Sequence, residues 1–427
     1  MDAEAAGEDV LDDVVPQPGA HGWDETEGRR HEMKGPFHLP PGPDGFSFVL
    51  FQSTGVCLEE GHQVELLENR AVFDRMLEDI RQAKESVHVL VYIWRPSPVS
   101  DRLVEALRER VSAGVRCRVV VDPVGSEEVR GDKDFDQKVE RRLTECGVEV
   151  HYYRPLAGKV LGRILGRTHQ KLVIVDGKIG YTGGFGIWKV WDGDGLQPEE
   201  WRDTHIRVEG PAVCRMQLEF SRTWQEAGGS LLHPEDLPEP LQRGPVRAGF
   251  VASNGKLGMT DAERMVRLVI AAARKRLWIA NAYFTPNNAV LEQLVHKAHE
   301  GVDVRVLGPG PVHDVPIIRA SQRATYQELL KAGVRIWEYQ ASMMHAKTML
   351  VDDWLSVVGS TNLDALSLNK LAEGSMVVAD EAFARKLEQG WEKDLRYSRE
   401  ITLDAGGVTN PWRRLARRMT QLVGQDR

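Results

Sequence analysis

The sequence predicts an α/β fold made of two copies of one unit, and three observations lead there. Apolar positions with helical spacing alternate with short apolar runs typical of buried strands. A nine-residue motif with a histidine and a lysine two positions apart occurs twice. Glycine–valine pairs also recur at offsets of 187 and 186 residues: Gly114-Val115 with Gly301-Val302, and Gly147-Val148 with Gly333-Val334. Such self-similarity indicates an internal duplication.

The first unit alternates helix and strand in order. The stretch NRAVFDRMLEDIRQAK places its apolar residues on one helical face, and residues 87–94 (VHVLVYIW) then read as a buried strand. A second amphipathic helix, SDRLVEALRERVSAG, leads into a strand over 115–122. This is strand–helix–strand organisation, which predicts parallel neighbours in a sheet.

The second unit repeats that order. DAERMVRLVIAAARKR predicts a helix and 277–284 a strand; NNAVLEQLVHKAHEG predicts the next helix, and VDVRVLGP the next strand. Between the two units lies the proline-rich, charged stretch LHPEDLPEPLQRGP, which is typical of a linker. We therefore predict a first domain over 46–231, a linker over 232–245 and a second domain over 246–405.

The remaining segments and the composition limit the class of protein. Residues 1–34 carry ten acidic and three basic side chains, so 1–45 is predicted to be a disordered acidic tail, and 406–427 a basic amphipathic tail. The net charge of −8 argues against a broad nucleic-acid surface. Four scattered cysteines suggest neither a zinc site nor a disulfide framework, and no apolar run is long enough to span a membrane.

The doubled motif reads THQKLVIVD over 168–176 and MHAKTMLVD over 344–352, an offset of 176 residues. Six residues separate each aspartate from a pair of small residues, which is glycine–glycine in the first unit and glycine–serine in the second. The offset is ten residues shorter than that of the preceding glycine–valine pair. An insertion must therefore lie before the first motif, close to LAGKVLGRILGR at 156–167.

The motif suits chemistry on a phosphate. His169 and Lys171, two apart on an extended segment, point to the same side, as do His345 and Lys347. A lysine neutralises nonbridging phosphate oxygens, while a histidine acts as a nucleophile or as an acid and base. One such motif is weak evidence, because it arises by chance, and a lone histidine is more often structural. Two copies at equivalent places in a repeat predict one pocket with two histidines and two lysines.

H-x-K-x(4)-D-x(6)-G-G/S, occurring twice, resembles the phospholipase D superfamily. The stretches WRDTHIRVEGPAV and GSTNLDALSLNKLAEGSMVV are similar to bacterial cardiolipin synthases, in particular to forms without N-terminal membrane helices. The resemblance covers about residues 62 to 400. It implies two pseudo-symmetric domains, each a mixed sheet flanked by helices, with the active site at their interface. It implies no cofactor and no metal, since the lysines supply the positive charge.

The resemblance also implies roles for individual residues. One histidine attacks phosphorus and the other moves protons to and from the alcohols; by analogy His169 is the nucleophile and His345 the general acid and base. From the sequence alone these two roles can be exchanged. An acidic residue downstream of each motif is expected to orient the histidines, Asp203 after the first motif and Glu373 after the second. Ordinary surface carboxylates are the alternative reading of both.

The rest of the motif is assigned in the same way. Asp176 and Asp352 complete the catalytic motif and stand at strand ends, which suggests structural or network roles rather than proton transfer. The small residues that follow are expected to contact phosphate: Gly184, Ser360 and Asn362. One departure stands out, because the family has asparagine two residues after each small pair, and the first unit has Gly186 instead.

Three functions remain open from the sequence. The first is phosphatidyl transfer, joining two phosphatidylglycerol-type lipids into cardiolipin. The second is hydrolysis by a phospholipase or phosphodiesterase, including a nuclease, although no nucleic acid is expected as a partner. The third is a catalytically dead lipid-binding module. The first reading predicts phospholipid substrates and a cytoplasmic protein that is peripheral at the inner membrane; the oligomeric state is not predicted.

Two segments suggest contact with an anionic membrane surface. The insertion at 156–167 combines Lys159, Arg163 and Arg167 with apolar residues, which predicts a basic, apolar lip or else a loop packed on the domain. The C-terminal stretch NPWRRLARRMTQLVG has the pattern of an interfacial amphipathic helix, or of one docked on the second domain with a solvated basic face.

Overall fold

A computed structural model describes residues 42–126, 136–154, 166–255 and 258–403. The first helix begins at Gly42, slightly before the predicted start of the first domain. The rest of the predicted acidic tail and the predicted basic tail at 406–427 lie outside the described residues. Of the insertion at 156–167, only the last two residues are described.

The described chain alternates helices and strands throughout. The helices are α1 (Gly42–Thr54), α2 (Ala71–Gln82), α3 (Pro98–Ser112), α4 (Pro123–Ser126), α5 (Arg141–Glu145), α6 (Ala212–Glu226), α7 (Asp261–Ala272), α8 (Asn288–His299), α9 (Pro316–Lys331), α10 (Ala365–Asn369) and α11 (Glu381–Leu395). The strands of the first half are β1 (Glu59–Glu68), β2 (Ser86–Val91), β3 (Arg116–Val121), β4 (Glu149–Tyr152), β5 (Leu172–Val175), β6 (Ile179–Gly183), β7 (Trp201–Arg202) and β8 (Thr204–Glu209). Those of the second half are β9 (Val246–Ser253), β10 (Arg276–Asn281), β11 (Asp303–Pro309), β12 (Arg335–Tyr339), β13 (Met343–Met344), β14 (Lys347–Val351), β15 (Leu355–Gly359), β16 (Glu373–Ala379) and β17 (Ser398–Ile401).

Strand order displays the duplication directly. Fifteen of the described strands form one sheet in the order β17-β12-β11-β10-β14-β15-β16-β9-β1-β8-β6-β5-β2-β3-β4. Read outward from its centre, each half repeats the same topology, with β1 corresponding to β9, β8 to β16, and β5 to β14. The extra strand β17 extends the second half. This confirms the predicted α/β duplication.

Each half is a mixed sheet, as predicted. β2, β3 and β4 run parallel, like β10, β11 and β12, whereas β5 and β14 run antiparallel to their neighbours. The halves join where β1 pairs with β9 across the middle of the sheet, with Glu59 opposite Ala248. Helices cover both faces, so the central strands are buried throughout, which explains their unbroken apolar sequences.

The helices begin where the sequence supplies caps. The side chains of Thr260, Asn287 and Asp380 each accept a hydrogen bond from a backbone N–H in the first turn of α7, α8 and α11. Helix α6 carries Phe220 and Trp224 onto a core that includes strands of both halves. Burial of apolar surface therefore holds the two halves together as well as each half.

Two further features tie the halves to each other. The predicted linker contacts the first half, because Asp236 is fully buried and pairs with Arg116 at 2.9 Å and Arg118 at 2.8 Å. The short strands β7 and β13 form a separate parallel pair, with Met343 opposite Trp201. That pair brings the start of the second motif against the first half.

Candidate active site

A cavity of about 430 Å³ lies between the halves and is lined by residues of both. Four of the predicted site residues reach it from the two motifs and the segments after them: His169, Lys171, His345 and Asn362. Gly184 lines it as well. The two histidines are 7% and 4% exposed, so both imidazoles are largely shielded from water.

The backbone determines which parts of the two halves meet here. The N–H of His169 donates to the carbonyl of Ala372 at 2.8 Å, and that of His345 donates to the carbonyl of Arg202 at 2.7 Å. Each carbonyl belongs to the residue just before an acidic residue of the opposite half. Each histidine is therefore fixed beside an acid from the other half.

His169 faces Glu373. Its Nδ1 lies 3.0 Å from Oε1 and 3.2 Å from Oε2, and the carboxylate also accepts the hydroxyls of Ser360 and Ser367. Burial would raise the pKa of Glu373, but His169, Lys171 and Ser360 together hold it below its usual value. Because a carboxylate only accepts, Nδ1 carries the proton and the other ring nitrogen, Nε2, is left unprotonated.

His345 faces Asp203. Its Nδ1 lies 2.8 Å from Oδ2 of Asp203 and 2.9 Å from Nζ of Lys347. One ring nitrogen cannot both accept a hydrogen bond from the lysine ammonium and donate one to the carboxylate. We assign the proton to Nδ1, donated to Asp203, because Lys347 already donates to the carbonyl of His345. Burial opposes ionisation of Asp203, yet His345 and His205 hold its pKa well below the usual range.

The orienting acids are thus exchanged between the halves. Asp203, which follows the first motif, contacts the histidine of the second motif, and Glu373 contacts the histidine of the first. Sequence order indicated which carboxylates to consider but not which histidine each one serves. That pairing depends on how two distant segments face each other.

The lysines stand beside their own histidines. Nζ of Lys171 donates to the carbonyl of His169 at 2.5 Å, and Lys347 makes the equivalent bond. Burial lowers the pKa of Lys171 to about 7 and that of Lys347 to about 8, and the charge of Lys347 contributes to the lowered pKa of Lys171. Burial, aided by Lys347, also lowers the pKa of His345 to about 3. An anion entering the cavity relieves this concentration of positive charge.

The motif aspartates lie outside the cavity. Asp176 and Asp352 both adopt left-handed backbone conformations, with φ of 52° and 48°. Asp176 accepts the backbone N–H groups of three consecutive residues, 84–86, and Asp352 those of 274–276. Each carboxylate therefore fixes the turn that leads into β2 or β10.

The small residues after the motifs have different surroundings. A Cβ on Gly184 would lie 2.4 Å from a carboxylate oxygen of Asp203, so only glycine allows that approach. Ser360, expected beside phosphate, instead gives its hydroxyl to Glu373. Asn362 lines the cavity, is 2% exposed, and its Oδ1 has no partner in the described part of the chain. That oxygen is an acceptor, so it can take a hydrogen bond from a donor group of a ligand.

An aromatic wall around His345 escaped the sequence analysis. The ring of Trp201 lies 4.6 Å from that of His345, Trp191 lies 5.4 Å away and Tyr283 6.4 Å away, measured between ring centroids. On the other side Tyr92 lies 5.4 Å from His169. These residues are scattered along the chain, and a cluster of tryptophans between 188 and 201 was the only sequence signal.

Arg167, the last residue of the insertion, also lines the cavity. It is 5% exposed, and its Nη1 donates to the carbonyls of Tyr153 at 3.2 Å and Arg154 at 2.8 Å. The sequence predicted either a membrane-facing lip or a loop packed on the domain for the segment that ends at this arginine. The structure buries it close to the first histidine, where these two carbonyls accept hydrogen bonds from Nη1 and Asp122 lies 3.7 Å away.

With this geometry defined, known proteins identify the family. A family model described as cardiolipin synthase, PLD-like domain, matches residues 76–224 and 266–395. The chain belongs to this family. It is 30% identical over 386 residues to the major cardiolipin synthase of Bacillus subtilis, spanning 88% of this chain and 78% of that protein. It is 32% identical over 374 residues to cardiolipin synthase A of Pseudomonas putida, spanning 86% and 75%.

The fold has a relative of known structure as well. The crystal structure of phosphatidylserine synthase from Haemophilus influenzae Rd KW20 superposes with a TM-score of 0.64 at 14% identity, covering 84% of this chain and 92% of that one. At that identity the likeness establishes the fold alone. The family relationship makes this chain a phospholipase D-type phosphatidyltransferase of the cardiolipin synthase kind. Across the described residues of this family member, no helix has the length and apolarity needed to cross a bilayer.

Proposed function

We propose that this enzyme makes cardiolipin from phosphatidylglycerol through a phosphohistidine intermediate. One observation carries the proposal: two imidazoles face one cavity, each with Nδ1 held by a buried carboxylate of the opposite half. That arrangement leaves the second nitrogen of each ring for the reaction. Lys171 and Lys347 supply the charge that a phosphodiester requires.

The proposed reaction has two steps. Nε2 of His169 attacks phosphorus, the bond from phosphorus to the glycerol oxygen breaks, and His345 gives that oxygen its proton. The primary hydroxyl of a second phosphatidylglycerol then returns a proton to His345 and attacks phosphorus, while the bond to His169 breaks. The products are glycerol and cardiolipin, and both histidines regain their starting states.

The electrostatics favour this order of events. His345 must be protonated before the first step, yet burial and Lys347 hold its pKa at about 3. A bound phosphodiester adds a negative charge beside it, which raises that pKa. Substrate binding thus prepares the acid. Asn362 can donate its amide to a phosphate oxygen.

The surroundings of the reaction also belong to the proposal. We infer phospholipid substrates and an anionic membrane surface as partners, with the enzyme peripheral at the cytoplasmic face of the inner membrane. The basic, apolar insertion offers one contact, although 155–165 lie outside the described residues. Deleting 157–166 should weaken binding to phosphatidylglycerol vesicles in sedimentation assays; unchanged binding would remove this contact from the proposal.

The direct test incubates the enzyme with phosphatidylglycerol vesicles and separates the lipid products. Cardiolipin together with glycerol is expected. Phosphatidic acid as the only lipid product would replace transfer with hydrolysis. His169→Ala should abolish both the lipid product and the phosphoenzyme. With a substrate whose leaving group departs without a proton, His345→Ala should still form the phosphoenzyme but break it down slowly. The reverse pattern would exchange the two roles.

A further inference from the structure

The two halves of the cavity differ at a pair of positions that follows the small residues, in addition to the difference between Gly184 and Ser360. Gly186 and Trp191 in the first half correspond to Asn362 and Ser367 in the second, each at the same offset of 176 residues that separates the histidines. Elsewhere around the reacting groups, histidine matches histidine and lysine matches lysine. The histidines and lysines are thus repeated between the halves, whereas this pair differs at both of its positions.

In the second half, Ser367 connects the asparagine to the acid. Its hydroxyl accepts the backbone N–H of Asn362 at 2.8 Å and donates to Oε1 of Glu373, the oxygen that faces His169. The serine thus fixes the oxygen that orients the histidine. The asparagine side chain occupies the adjoining wall of the cavity.

In the first half, one residue takes both places. The indole N–H of Trp191 donates to Oδ2 of Asp203 at 2.9 Å, the same oxygen that faces His345 at 2.8 Å. A Cβ on Gly186 would lie 2.8 Å from the Trp191 ring and 3.0 Å from Cβ of Ile93. The ring therefore fills the volume that a second asparagine side chain needs.

We propose that Trp191 is the positioning residue for the proton-transferring histidine of this enzyme, and that Gly186 is glycine to admit it. The indole N–H holds Oδ2 of Asp203 in line with Nδ1 of His345, while the ring closes that side of the cavity. This inference rests on the proposed function, because it requires His345 to move protons during the reaction.

The geometry makes an electrostatic prediction that simple packing does not. Oδ2 shares its negative charge between two donors, the indole and the imidazole. Removing the indole N–H leaves more of that charge facing His345, which favours the imidazolium. The pKa that His345 contributes to the pH–rate profile must then rise, and the limb that it governs must move to higher pH.

Trp191→Phe tests this with little change in volume. We expect kcat to fall about tenfold, because one hydrogen bond to a charged acceptor is lost, with KM within about twofold. The limb of the pH–rate profile that His345 governs should move to higher pH by about half a pH unit. Trp188→Phe is the matched control, since it removes an indole N–H from a half-buried ring that does not line the cavity. Its rate and pH profile should match those of the wild type.

A second pair of variants protects the test against misfolding. Gly186→Asn alone should be poorly folded or inactive, because the new side chain meets Trp191. Gly186→Asn combined with Trp191→Ser recreates the second half's pair, and it should be more active than Gly186→Asn by about tenfold or more. Thermal unfolding identifies which variants are folded before rates are compared.

Failure of the inference is distinguishable from failure of the proposed function. If the wild type forms cardiolipin but Trp191→Phe keeps its kcat and its pH profile, Trp191 only packs and the inference is overturned. If the wild type forms neither cardiolipin nor a phosphoenzyme from phosphatidylglycerol, the proposed function fails first.

Discussion

Glu373→Gln tests the exchange of acids between the halves. The substitution keeps the shape of a 1%-exposed side chain but removes the charge that faces Nδ1 of His169 at 3.0 Å. Attack on phosphorus makes the imidazole of His169 positive, so the missing charge is felt in the transition state. At a separation of about 4 Å and an effective dielectric constant near 20, the interaction amounts to about 4 kcal/mol.

Only part of that energy is gained in the transition state, because the charge on the ring is incomplete there. A loss of about 3–4 kcal/mol corresponds to a rate of phosphoenzyme formation about 100- to 1000-fold lower. Asp203→Asn is the matched variant, since it removes the corresponding charge beside His345. The two variants should fail at different steps.

A phosphodiester substrate with a p-nitrophenolate leaving group separates attack by the nucleophile from protonation of the leaving group. p-Nitrophenolate is so weak a base that it departs without being protonated. In rapid-mixing experiments, Asp203→Asn should keep a burst of p-nitrophenolate and then turn over slowly. Glu373→Gln should lose the burst. The reasoning is refuted if Glu373→Gln keeps the full burst and Asp203→Asn loses it while His169→Ala still forms no phosphoenzyme, because each acid would then serve the histidine of its own half. Matching thermal midpoints confirm that both variants are folded.

Three further predictions concern charge and stability. Burial holds the pKa of Lys171 at about 7, so this lysine loses its charge as the pH rises; kcat/KM for phosphatidylglycerol should fall above about pH 7, and kcat should fall only at higher pH because bound phosphate restores the charge. Asp176→Ala leaves three backbone N–H groups without their acceptor, and it should reduce the free energy of unfolding by about 2–4 kcal/mol while kcat per folded molecule stays within about twofold. Arg202→Ala removes the partner of the buried Asp394 and of the half-buried Glu68, which lie 2.7 and 2.8 Å from the guanidinium, and should lower the free energy of unfolding by about 3–5 kcal/mol in denaturant titrations.

Each of these has an outcome that contradicts it. A kcat/KM that stays flat to about pH 10 would mean that Lys171 keeps its charge in the free enzyme. Asp353→Ala, at a 62%-exposed side chain next to the second motif aspartate, is the control for Asp176→Ala. If the two variants unfold alike, the backbone contacts of Asp176 add no stability. A loss of less than about 1 kcal/mol for Arg202→Ala would mean that water replaces the arginine.

The fold was largely predictable because its signals are local and occur twice. Amphipathic stretches and apolar runs identified α2, α3, α7 and α8 and strands β2, β3, β10 and β11, usually within two or three residues at each end. The repeated glycine–valine pairs revealed the duplication. A single sheet continuous across both halves was not predicted, because the β1–β9 pairing joins segments whose sequences carry no mark of each other.

The site was predictable in its residue types but not in its connections. The doubled motif identified His169 and His345, and the resemblance supplied both carboxylates. Which acid serves which histidine depends on a bridge between Thr168 and Ala372 and on the β7–β13 pair, contacts between residues more than a hundred positions apart. Trp191 was missed because a tryptophan among several reads as core. Its correspondence with Ser367 becomes visible only when the offset of 176 residues between the two motifs is extended to the residues that follow them.

The exchanged acids make the two halves mutually dependent in a strict sense. Each half contributes a histidine whose orienting carboxylate is encoded in the other half, so neither is a smaller version of the whole enzyme. Fragments covering 42–231 and 246–403 would each be inert alone, and activity would return only on reassembly of the pair. By the same logic, a protein with a single copy of this unit would need a partner copy to form one active site. Fusion of two copies then removes the dependence of activity on protein concentration, and it frees the two sides to diverge, as Gly186 and Trp191 have done.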